Sequence, residues 1–67
     1  MKDWYLLMKI RSLAEANIVQ GMLEENNIPV HILNKKDSIY LLGDFEIYVP
    51  VTLKDLAKDL LNNTLLN

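Results

Sequence analysis

The apolar positions change period three times along this chain, and each change marks a new element. Trp4 to Ile10, WYLLMKI, contains no turn residue and reads as a strand. Strict alternation puts Trp4, Leu6, Met8 and Ile10 on one face and Tyr5, Leu7 and Lys9 on the other. From Ser12 the spacing becomes helical. Ala16, Ile18, Val19, Met22 and Leu23 fall on one arc, with Asn17, Gln20, Gly21 and Glu24 opposite. Ser12 is the N-cap this pattern requires, and Glu15 stands three residues on, as in a capping box. Asn26 and Asn27 tolerate the left-handed residue that ends a helix. Pro29 keeps Ile28 extended, so a strand is expected from Ile28 to Leu33.

The second half repeats this grammar. Phe45 to Val49, FEIYV, alternates, with Phe45, Ile47 and Val49 one way and Glu46 and Tyr48 the other. Pro50 ends the strand. Thr52 with Asp55 repeats the cap of Ser12 with Glu15, and Leu53, Leu56, Ala57, Leu60 and Leu61 make a helical stripe. Between the halves, Ile39-Tyr40-Leu41-Leu42 reads either as a short strand turned at Gly43-Asp44 or as an apolar loop over a sheet edge. A split β-α-β unit used twice is the ferredoxin-like plait. The expected fold is therefore α+β, a single domain over residues 1–67, βαββα, with one antiparallel sheet and both helices on one face. Thr64 to Asn67 provide at most the stump of a fourth strand, or a frayed last helical turn. Val19, Leu23, Leu56 and Leu60 are the expected core.

Composition narrows the function. The chain has 67 residues, 51% of them hydrophobic, and no cysteine. A chain this short buries only about 60% of its unfolded surface. Without a disulfide, some of its apolar surface is expected to find cover on another subunit. A formal net charge of -2 argues against nucleic acid and anionic membranes, which reward clustered Lys and Arg. No apolar run reaches the length of a membrane span, and no secretory signal pattern opens the chain. A cytoplasmic protein is the expectation.

Several short stretches, taken in order, resemble a known family. They are Trp4-Tyr5, Ala14-Glu15-Ala16, Met22-Leu23-Glu24, Asn27-Ile28-Pro29-Val30, Phe45-Glu46-Ile47-Tyr48-Val49-Pro50 and Leu56-Ala57. Their order and spacing are similar to those of small bacterial proteins described as prokaryotic signal-transducing proteins. The resemblance covers most of the chain but includes no chemical motif. It implies a truncated plait related in fold to the PII nitrogen regulators. Where relatives often carry Gly before Ile-Pro, this chain has Asn27. The 34–44 connection contains no phosphate-cradling Gly-rich run, which counts against a PII-type nucleotide site.

Candidate chemistry is sparse. His31 is the only histidine, which excludes a His-His or His-Cys metal set within one chain. Its simpler reading is an ordinary strand residue. Ser12 and Ser38 have simpler roles in a cap and a polar loop, and no nucleophile elbow surrounds either. No catalytic set, cofactor or metal is expected. The informative feature is the sheet face turned away from the helices. Alternation assigns it Tyr5, Leu7, His31, Leu33 and Tyr48, with only Lys9 and Glu46 charged. A solvated antiparallel face is normally more polar than this, and exposed apolar clusters mark interaction sites; the alternative is that the connection at residues 39–42 folds back and covers part of the face. The expectation is a non-enzymatic binding or regulatory module acting through protein–protein contacts of the sheet. It is expected to be a homodimer that pairs through the open edge of the first strand or stacks through this face, with Leu65 and Leu66 as possible additions to the interface. A small-ligand sensor with a pocket between the 34–44 connection and the sheet is the alternative.

Overall fold

A computed structural model describes residues 2–35 and 45–65. The possible strand at Ile39–Leu42, the turn at Gly43-Asp44 and Leu66 lie outside the described residues. The elements are β1 (Trp4–Ile10), α1 (Leu13–Glu25), β2 (His31–Asn34), β3 (Phe45–Pro50), a 3-10 turn (Val51–Leu53) and α2 (Lys54–Leu65). The sheet is antiparallel, in the order β1-β3-β2. This α+β arrangement is a ferredoxin-like plait whose fourth strand is missing among the described residues. At the position where that strand would begin, Thr64 and Leu65 continue α2.

The caps explain where α1 begins and ends. Ser12 is extended, and its Oγ accepts the Glu15 amide at 3.3 Å, which satisfies one of the donors a helix start leaves free. At the other end Asn27 adopts φ 63. Its amide donates to the Glu24 carbonyl and the Ile28 amide to that of Leu23, each at 3.0 Å. These are the two bonds of a Schellman stop. The Asn26 side chain adds a bond to the Met22 carbonyl at 2.8 Å. Ile28 and Leu23, which flank the stop, are both fully buried. Because the Ile28 amide is used in the stop and Pro29 has none, sheet pairing starts at His31 rather than at Ile28.

The start of α2 corrects the expected Thr52 cap. The chain turns helical at Val51, one residue after Pro50 fixes the direction of the backbone. Thr52 therefore lies inside the 3-10 turn, and Pro50, at the cap position, has no side chain able to cap. The Val51 amide instead donates to the Asp3 carbonyl at 3.0 Å, which ties the start of β1 to the end of β3.

The protein has two layers, with Cα extents of 32 × 30 × 15 Å. Ile10, Ala16, Val19, Leu23, Ile28, Ile47, Val49 and Ala57 form the core. Two residues expected on the buried stripes are exposed, Ile18 at 66% and Leu56 at 47%. Each immediately precedes a buried residue, Val19 or Ala57, and so stands about 100° round its helix from it. A helix resting on one narrow sheet buries only a thin strip, and residues on its flank stay wet. Leu60 is half-buried against the core.

The outer sheet face and the reversal within β1

The residues of β3 fix which face is which. Ile47 and Val49 are buried against the helices, so Glu46, Tyr48 and Pro50 point outward. Residues directly opposite each other in an antiparallel pair share a face. On β2, His31 faces Tyr48 and Leu33 faces Glu46. Both therefore stand on the outer face, as alternation predicts, with His31 exposed and Leu33 half-buried.

On β1 the prediction fails in the N-terminal half. Lys9 pairs with Glu46 and Met8 with Ile47, but the register then slips, and Leu6 pairs with Tyr48, Tyr5 with Val49 and Trp4 with Pro50. The slip is a bulge in which Leu7 and Met8 together oppose Ile47, and one extra residue reverses the parity of everything before it. Tyr5 therefore lies on the helix side, and Leu7 packs against the core. The outward residues of β1 are Trp4, Leu6 and Lys9. Trp4 and Leu6 could not be found by counting, because WYLLMKI contains no glycine to mark a bulge.

The helix-side position of Tyr5 is confirmed by its neighbours. The ammonium groups of Lys54 and Lys58 on α2 lie 5.4 and 5.0 Å from its ring centroid, within cation–π range. Hydrogen bonding to Tyr5 raises the Lys58 pKa above the ordinary lysine value, with the charge of Tyr5 and then of Asp55 adding to the effect and desolvation opposing it.

The outer face has an aromatic end and a charged end. At the first, the Trp4 and His31 rings meet across β3 in a T-shaped contact, with centroids 4.6 Å apart and planes at 76°. At the second, Glu46 accepts a bond from the Tyr48 hydroxyl at 2.9 Å and lies 3.9 Å from both Lys9 and Lys35. The Glu46 side chain is only 13% exposed, whereas the two lysines are 54% and 53% exposed. These long pairs contribute little to stability, and the ammonium groups remain free to take other partners. The bond to Glu46 raises the Tyr48 pKa, with desolvation and the Glu46 charge adding to it. This contribution to stability is present below about pH 10, the ordinary tyrosine value, and is lost as pH rises through the higher folded value.

No family model, curated protein or solved structure matches this chain.

Two further features complete the surface. A groove of about 210 Å³ between β1 and α1 is lined by Met8, Ile10, Glu15, Ile18 and Val19. Among the described residues, no helix is long and apolar enough to cross a membrane, and no three His, Cys, Asp or Glu side chains are grouped to hold a metal ion. The alternative pocket beside the 34–44 connection falls largely outside the described residues.

Proposed function

We propose that this protein is a small non-enzymatic binding or regulatory module that works through protein–protein contacts of its sheet and forms a homodimer. The observation that carries the reading is the outer face. Trp4, Leu6, Leu33 and Tyr48 lie together there, and among the described residues both helices pack on the opposite side. All four are half-buried, and the apolar and aromatic surface they leave accessible is of the kind that partners cover. The resemblance to prokaryotic signal-transducing proteins agrees with a regulatory role, and the formal net charge of -2 agrees with a cytoplasmic protein that binds neither nucleic acid nor anionic membrane.

The test is a light-scattering mass measured from micromolar to millimolar concentration. The mass should rise from 7.8 kDa towards twice that value, and Leu6→Lys should suppress the rise. A wild-type mass that stays monomeric to millimolar concentration would contradict the reading. A second reading, a small-ligand sensor, is favoured by the groove between β1 and α1. It requires a ligand that raises the melting temperature.

A further inference from the structure

We infer that the outer face fits a second copy of this chain in one orientation, face to face, with the strands of the two copies antiparallel. The inference rests on the self-association proposed above and specifies its geometry.

The charge layout selects this orientation. Along β1 the outward residues run Trp4, Leu6, Lys9, so the ring and the ammonium stand at opposite ends of one strand. The same polarity holds across the face, where His31 lies at the aromatic end and Lys35 at the other. Two sheets can meet face to face about a two-fold axis in two simple ways. An axis along the strands sets the exposed lysines of one copy against those of the other, and like charges repel. An axis across the strands sets the lysine end of each copy over the aromatic end of the other. Lys9 then lies over the Trp4 indole of the second copy, and symmetry makes that contact twice.

Edge-to-edge pairing of two β1 strands is the competing mode, and the bulge counts against it. A bulge in the middle of an edge strand breaks the ladder and twists the strand away from partners. Size sets the strength of the stacked dimer. Three strands about 4.8 Å apart and about 20 Å long present roughly 300 Å² of face, against about 800 Å² per partner in stable complexes. The contact is therefore small, at the weak end of protein–protein interfaces, and its occupancy follows local protein concentration.

A double-mutant cycle read by sedimentation over a concentration series tests this. Lys9→Gln and Trp4→Leu should each raise the dissociation midpoint about tenfold, since each removes both symmetry-related contacts. The double variant should be little worse than either single one, and Lys9→Arg should keep the wild-type midpoint. Thermal melts of each variant confirm folding, and Lys35→Gln gives an independent weakening if Trp4→Leu does not fold. If the Lys9→Gln midpoint equals the wild-type value, or if the two losses multiply, the orientation is wrong while the self-association stands. A wild-type protein that stays monomeric throughout removes both.

Discussion

Ser12 and Thr52 show how much a single position depends on its neighbours. Both carry the same sequence signature, a hydroxyl followed three residues later by an acid. Only Ser12 caps, because only there does the backbone stay extended up to the helix. At the second site Pro50 sets the direction earlier, and the chain is already helical when it reaches Thr52. Ser12→Ala should therefore cost about 1 kcal/mol. Thr52→Ala, which loses no cap, should stay within about 0.5 kcal/mol of wild type. Urea denaturation midpoints check both, and equal losses in the two variants would contradict the assignment. The left-handed turn was legible at this scale from Asn27 followed by Ile28-Pro29, because few side chains tolerate that conformation.

At the scale of elements, the sequence specified each strand and helix better than the face each presents. The alternation of β3 survives intact, because Phe45, Ile47 and Val49 meet the helices and any slip would expose all three. The first strand is apolar on both sides, so neither register is penalised by its own residues, and the bulge is decided by the pairing with β3. Leu7, assigned to the interaction face by counting, packs against the core instead. A charged residue there should destabilise the fold rather than separate subunits. The helices show the same limit. Periodicity located the buried strip of α1 and α2 but overestimated its width, as Ile18 and Leu56 show. Leu23→Ala should cost roughly 2–5 kcal/mol, enough to unfold so small a domain. Leu56→Ala should cost under about 1 kcal/mol. Melting temperatures of the two variants separate these outcomes, and a Leu56→Ala protein as destabilised as Leu23→Ala would mean that the α2 stripe is misplaced.

At the scale of the whole molecule, a two-layer plait whose fourth strand is missing among the described residues has two surfaces to resolve, the β1 edge and the outer sheet face. The bulge blunts the first. Among the described residues both helices pack on the side away from the second, where Trp4, the only tryptophan, stands half-buried. That makes indole fluorescence the most direct probe of the central claim, that the outer face is the surface this protein works through. Quenching of Trp4 by acrylamide should be measured from micromolar to millimolar protein concentration alongside the mass. Quenching should fall, and emission should move to the blue, in step with the rise in mass. A mass that doubles while Trp4 stays as accessible as in the monomer would place the contact elsewhere and contradict that claim.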